Sequence, residues 1–373
     1  MTKKYFVLAS LVSLFPVHSL CALETRLAGE LSQVEVPAVQ AASPDIKSLR
    51  AEYDEIYSAL EFYSNAAYAA RRDSPEFLEA SASGQYLRAR LEGVSREISK
   101  LSGAAYSGGA GSRRLGGVSA RVRSEINDAL GFDRPLSSRS GETRGVPIKQ
   151  GYCQINYVKN NTPFLVQYDG FLEKGEIILT FDDGPGSLTE EVSAAMKEGK
   201  APSLFFVLGA NLGDSGKARL KVEAADGHSV GVHGYNHATP SGKPFTALST
   251  AETLKQLGGV SASITSAVGK EPGFFRPPYG IISPEALRAI DSELGLVPVG
   301  WTIDTLDWST KDPEALFQKT ISLIKERGKG IVLMHDIHPQ SRTAAKRLVV
   351  WLADNGYKVV PPERMAAAFR GRP

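Results

Sequence analysis

The chain is poor in cysteine, with only Cys21 and Cys153 in 373 residues. Once an N-terminal signal is removed Cys153 stands alone, so a disulfide scaffold is excluded and stability has to come from a packed core. A charge of one sign is also missing. Lys and Arg number 43 against 41 Asp and Glu, a net charge of +2. No basic run has the form of a phosphate-tracking arm, so nucleic acid is not an expected partner. Beyond residues 5–20 there is no long apolar run, and no later segment is expected to span a bilayer. That first run follows Met1-Thr2-Lys3-Lys4, carries no charge and is interrupted by Pro16. A basic start, a short apolar core and small residues after it predict a secretory signal over residues 1–22. A lipoprotein signal using Cys21 is the rival, and the bulky Leu20 before it argues against that motif. The mature protein is expected to be exported, periplasmic or secreted. Histidine is scarce as well: there are six, none of them between residues 43 and 132.

What is present divides the chain in two. Ser43-Pro44-Asp45 reads as an N-cap, a first-turn proline and an acid that complements the helix dipole. Behind it Ile46, Leu49, Tyr53, Ile56, Leu60 and Tyr63 recur at spacings of three and four, a helix with a narrow apolar seam. Ser74-Pro75-Glu76 repeats the start, with Leu87, Leu91, Val94, Ile98 and Leu101 as its seam. The two predict a helical hairpin. Residues 102–117 hold six glycines and form a flexible break. Val118, Val122, Ile126 and Leu130 predict a third helix. Residues 43–132 are thus expected to be a helical region whose seams pack on each other. Residues 133–169 are a linker that includes a possible hairpin.

From about residue 170 short β-rich runs alternate with helical stretches: EIILTF, PSLFFVLG, HSVGVH, GFFRPP, LVPVGWTI, KGIVLMH and YKVVPP. Such alternation argues for parallel βα units. Seven strands over residues 170–368 predict an α/β fold, a distorted (β/α)7 barrel preceded by the helices. Chemistry in barrels collects at the C-terminal ends of strands, and the polar residues fall there. Asp182 and Asp183 end the first strand, His233 and His237 in HGYNH the third, and Arg276 the fourth. Asp307 and Trp308 follow the fifth, and His335 and Asp336 end the sixth. Each has a plainer reading alone. Asp-Asp-Gly-Pro is a turn former, Trp308 a core residue, Asp336 a cap. His228 precedes its strand and is assigned to structure, and His338 is ambiguous. Five clusters at the same ends of successive strands point to an active site. On a helix, residues four apart share a face, so His233 and His237 can reach one ion. A carboxylate from another strand end completes a site with open positions for water. The same triad suits ferrous iron in an oxygenase, so it does not fix the chemistry.

These motifs, in this order, resemble those of carbohydrate esterase family 4, the polysaccharide deacetylases, over roughly residues 173–365. The resemblance implies metal-dependent removal of acetyl groups from amino sugars. It implies that Asp183, His233 and His237 hold one divalent metal, zinc first, with cobalt, nickel or manganese open. By the same resemblance Asp182 is the general base and Arg276 orients it. His335 is the general acid, held and tuned by Asp307. The backbone N–H of Tyr279 is the oxyanion donor, and Leu333 and Trp308 line the pocket for the acetyl methyl. Gly234 departs from the family pattern, which has Ser or Thr there to support the loop.

Export favours a wall polymer as the partner: N-acetylglucosamine units of peptidoglycan first, chitin or chitooligosaccharide next. An O-acetyl esterase acting on xylan would use the same machinery. A glycan-binding module on a dead scaffold is the reading from another class, but such a scaffold loses a base, an acid or a ligand, and all are retained here. No chemistry falls in the helices, to which oligomerisation or wall contact is open. A chain starting near Gly151 is expected to fold and act on short oligosaccharides.

Overall fold

The computed structural model describes residues 45–71, 74–106, 108, 117–130, 132, 145–158, 161–237 and 245–371. The expected signal, Ser43 and Pro44, and most of the polar linker lie outside the described residues. Residues from Ile46 onward form one compact unit. Among the described residues no helix is long and apolar enough to cross a membrane.

Two long helices come first, α1 (Ile46–Ala69) and α2 (Pro75–Ser102). Ser74 caps α2 by accepting from the Phe77 N–H at 3.2 Å, with Pro75 in the first turn, and Gly103 ends it at φ 70°. The expected seam of α1 is buried at Leu49, Tyr53, Ile56 and Leu60. In α2 every residue from 80 to 87 is buried, with no exposed face. A helix buried all round has cover on both sides. Here α1 lies on one side and the barrel on the other. α3 (Ala120–Leu130) packs Val122, Ile126 and Leu130 inward.

Strands β1 (Val146–Lys149), β2 (Cys153–Val158) and β3 (Thr162–Gln167) form a small antiparallel sheet. Then come β4 (Glu176–Gly184), α4 (Thr189–Glu198), β5 (Leu204–Val207), α5 (Asp214–Ala225) and β6 (Ser229–Val232). They are followed by α6 (Thr250–Val268), β7 (Phe274–Phe275), α7 (Pro284–Leu294), β8 (Val297–Pro298) and β9 (Ile303–Asp304). The chain ends with α8 (Pro313–Arg327), β10 (Gly330–His335), α9 (Pro339–Asp354), β11 (Lys358–Val359) and α10 (Glu363–Arg370). The second sheet is parallel throughout, in the order β8-β7-β6-β5-β4-β10-β9, with β11 against the start of β4. This is a curled, open α/β barrel behind a helical N-terminal region.

The run LVPVGWTI, read from sequence as one strand, holds two. β8 and β9 are the two free edges of the sheet, and the chain between them crosses the opening. The small sheet flanks that gap. Tyr152 Oη donates to Pro298 O at 3.0 Å, and Gln167 Oε1 accepts from Gly300 N–H at 3.0 Å. Side chains from α1 and α2 share one apolar cluster with Phe164, Tyr279, Ile281, Leu306 and Trp308. The helical hairpin therefore sits on the end of the barrel where β4, β6 and β10 deliver their polar residues.

Candidate active site

Consecutive side chains of a strand point to opposite faces, so Asp182 and Asp183 reach one cavity only if the strand is broken there. It is. The β4–β5 register shifts between Asp182 and Gly184, and Asp183 takes φ 72°. This bulge turns both carboxylates to the same side. Asn211 Nδ2 holds the turned backbone by donating to Asp183 O at 2.8 Å. Asp336, which accepts from the Thr189 hydroxyl, lies directly under Gly184, where a Cβ would come within 2.6 Å of it. Burial pushes the Asp336 carboxyl up to about 7.

His233 and His237 lie on a loop after β6, not on a helix as the spacing predicted. Gly234, at φ 84°, reverses the chain between them. A Ser or Thr would be strained in that conformation, so this loop, as folded here, suits the glycine. The rings lie 5.1 Å apart between centroids. His233 Nδ1 is hydrogen-bonded to Arg276 O at 2.8 Å, which leaves Nε2 for the cavity, 3.5 Å from Asp183 Oδ1. His237 Nε2 is 3.6 Å from the same oxygen.

Ligand atoms of Asp183, His233 and His237 all lie within 4.8 Å of one another, close enough to hold a metal ion. The donor set fits a divalent cation. Burial pushes both imidazoles down, His237 to about 3 with nearby His335 adding to it, so both are neutral at ordinary pH. Burial pushes the Asp183 carboxyl up, and Asp183 Oδ1 has no hydrogen-bond partner among the described residues. A cation between them satisfies that oxygen and offsets the burial of its charge.

Arg276 is fully buried. It donates to Asp182 Oδ1 at 2.7 Å through one nitrogen only. Its other contacts are Thr180 Oγ1 at 2.8 Å, Val299 O at 3.3 Å and Gly300 O at 2.7 Å. The two-pronged pairing that a guanidinium allows is absent, because the fork also ties down the crossing between β8 and β9. On the opposite wall His335 Nδ1 is 2.7 Å from Asp307 Oδ1, and the His335 N–H donates to Asp307 Oδ2 at 2.7 Å. Ser341 also donates to Asp307, and Gln340 Nε2 donates to Asp307 O at 2.9 Å. Burial alone would lower the His335 pKa. The Asp307 carboxylate outweighs it, with Asp183 and Asp182 helping, and holds the imidazole up at about 10. His335 Nε2 is 4.0 Å from Asp183 Oδ2. His228 bonds Ser193 O and the Ser203 N–H away from the site.

Tyr279 takes φ 59° in the turn after Arg276, and its ring meets His237 edge-on at 4.1 Å. Trp308 and Ile337 supply the apolar lining of the cavity. Leu333 is buried one pleat deeper on β10 than His335 and is not among the lining residues. Gln85, Arg88 and Glu92 of α2 do line it, and no sequence signal assigned them chemistry; His338, ambiguous from its place after the motif, lines it too. Arg88 Nε binds Glu92 Oε1 at 3.0 Å, and the same oxygen is 3.7 Å from His338 Nδ1. The signal that marks α2 as a wall is its run Ala80-Ser81-Ala82-Ser83-Gly84. A Cβ on Gly84 would lie 2.1 Å from Trp308, and Ser81 Oγ donates to Asp304 at 2.9 Å.

The family profile of the polysaccharide deacetylases matches residues 170–299. That span holds Asp182, Asp183, both histidines and Arg276, and leaves α1 to α3 outside. A peptidoglycan-N-acetylglucosamine deacetylase of Bacillus cereus is 35% identical over 194 residues, 50% of this chain and 68% of that protein. Chitin deacetylase 1 of Cryptococcus neoformans is 31% identical over 182 residues, 44% of this chain and 37% of that protein. A solved polysaccharide deacetylase from Bacillus cereus aligns at 33% identity and a TM-score of 0.43, covering 50% of this chain and 90% of that one. The chain belongs to the polysaccharide deacetylase family. It spans well under half the length of the chitin deacetylase it matches.

Proposed function

We propose that this protein is exported and hydrolyses the N-acetyl group of N-acetylglucosamine units in an extracytoplasmic polysaccharide, peptidoglycan first, with one divalent metal, zinc first, held by Asp183, His233 and His237. One observation carries the reading. An Asp-His-His cluster with two neutral imidazoles stands between a carboxylate pinned by Arg276 and an imidazole pinned by Asp307. When bound, the ion lowers the pKa of a water and polarises the acetyl carbonyl.

The rest falls to the chain's own groups. Asp182 Oδ1 is fixed by Arg276, so Oδ2 is the oxygen that takes the proton of the attacking water. The water oxygen bonds to the carbonyl carbon, and the Tyr279 N–H donates to the developing oxyanion. His335 holds its proton on Nε2, since Nδ1 is engaged by Asp307, and gives it to the departing amine as the C–N bond breaks. Acetate and a free amino sugar remain. Trp308 and Ile337 exclude water around the acetyl methyl.

The test is acetate release from peptidoglycan, chitooligosaccharide and acetylxylan, each with and without a chelator. Chelator-sensitive release from the first is the expected result. Release from acetylxylan alone replaces the amide reading with an ester one, and no release from any of the three removes the hydrolase reading.

A further inference from the structure

We infer that the groove between α1 and the 306–311 loop is a glycan subsite that takes a sugar unit bearing a carboxylate, so that the N-terminal helices share in selecting the substrate. This rests on the deacetylase reading above. The first argument is room. The cavity at Asp183 measures about 20 Å³, space for a water or an acetyl group's end but not for a pyranose ring. The rings of a polymer must lie beside it. The adjoining groove measures about 370 Å³, within the range of small-ligand sites. Arg88 and Trp308 line both spaces, so a unit in the groove abuts the reacting centre.

The lining suits a sugar. Tyr57, Tyr68 and Trp308 bring aromatic surface, and Glu61, Arg88 and Lys311 bring charge. The Trp308 indole N–H is buried and has no partner among the described residues.

Charge sets the class of sugar. Two cations and one carboxylate line the groove, and Arg88 is already paired with Glu92 at 3.0 Å, which leaves Lys311. Lys311 Nζ stands 5.3 Å from the Tyr57 ring centre. Burial lowers the Lys311 pKa, with the positive Arg88 adding to it and Glu61 opposing it, and Lys311 makes no ion pair among the described residues, so it is the cation left for an arriving anion. A carboxylate on the sugar pairs with Lys311, and a neutral sugar does not.

The experiment compares an N-acetylmuramic-acid-containing glycan strand with chitotetraose, using the full chain. Acetate release gives kcat/KM on each, for wild type, Lys311→Gln and Lys311→Arg. Wild type is expected to prefer the acid-bearing strand. Lys311→Gln should cut that preference about tenfold, the worth of one charge-assisted contact, through KM and not kcat. Lys311→Arg should keep it. Calorimetric binding of both oligosaccharides runs in parallel. A preference that is absent in wild type, or unchanged in Lys311→Gln, overturns the subsite. If neither oligosaccharide releases acetate but the calorimetric preference for the acid-bearing strand depends on Lys311, the subsite stands and the deacetylase reading falls.

Discussion

Two adjacent acids face the same His233 Nε2 here, Asp182 at 3.7 Å and Asp183 at 3.5 Å, but their other partners differ. Asp183 faces two neutral imidazoles, and Asp182 faces a guanidinium. Asp183→Ala should therefore lose the metal, read by elemental analysis. Asp182→Asn should keep it while kcat falls about a hundredfold or more, the usual scale for removing a general base. Full metal content in the first variant, or near-normal turnover in the second, would reverse the assignment. His335, as the proposed general acid, is expected to set the pH dependence. Its pKa is raised to about 10 chiefly by Asp307 against the lowering effect of burial. The protonated form is present at neutral pH and is lost as pH rises through that value. Asp307→Asn removes the leading raising influence, so the alkaline limb of kcat should move to lower pH. A limb that stays in place would mean that another group sets it. The ordered acids, histidines and arginine were legible in the sequence because βα alternation puts them at strand ends. Their geometry was not. Whether Asp183 turns depends on a bulge against β5, and whether Gly234 belongs depends on a positive φ.

At the scale of elements, the apolar runs marked the strands well. They failed at LVPVGWTI, where hydrophobicity is continuous but the hydrogen bonding is not. The chain between β8 and β9 is held by side chains from elsewhere. Gln167 at the end of β3 is the clearest case, since its amide oxygen takes the Gly300 N–H while Gly300 O takes Arg276. No local pattern in residues 162–167 announces that partner, which lies 133 positions away. Gln167→Ala leaves the buried Gly300 N–H unmet, at a cost of about 1–3 kcal/mol. It also loosens the crossing that Arg276 grips. The expected outcome is a lower Tm together with reduced kcat, with metal content unchanged. A fall in Tm with full kcat would confine Gln167 to stability. The seams of α1 and α2 were legible for the same reason as the strands, from periodicity, except that Leu101 at the end of α2 is exposed. The second face of α2 was not, because Ala, Ser and Gly carry little hydrophobic signal. That face is read from closeness of approach, as Gly84 under Trp308 shows.

For the whole molecule, the question is whether the helices are an accessory or a part. The sequence, with its glycine-rich break and polar linker, predicted that the barrel would work without them. The structure argues the reverse. Phe164, Tyr279, Ile281, Leu306 and Trp308 are each at most 4% exposed and belong to the same apolar cluster as the seams of α1 and α2. Fully burying one such side chain is worth about 1.5–3 kcal/mol, against a total stability of about 5–15 kcal/mol for a typical domain. Uncovering even part of that group therefore takes a large share of the stability. It also frees Asp304 from Ser81, Trp308 from Gly84, and the Tyr68 hydroxyl from Ser309, where the two oxygens stand 3.2 Å apart. Trp308 then loses the wall that fixes it beside Asp183, and Tyr279 the wall that fixes it against His237. A chain of residues 145–373, which keeps the small sheet and Gln167, should aggregate or bind a hydrophobic dye, and should release no acetate from a short oligosaccharide. Adding residues 46–132 as a separate chain should restore solubility and activity in part, since the contacts are non-covalent. The measurement is acetate release alongside dye fluorescence for the fragment alone, the mixture and the full chain. A soluble fragment with full turnover on a short substrate would make the helices dispensable to the site and reduce them to a polymer-contacting attachment.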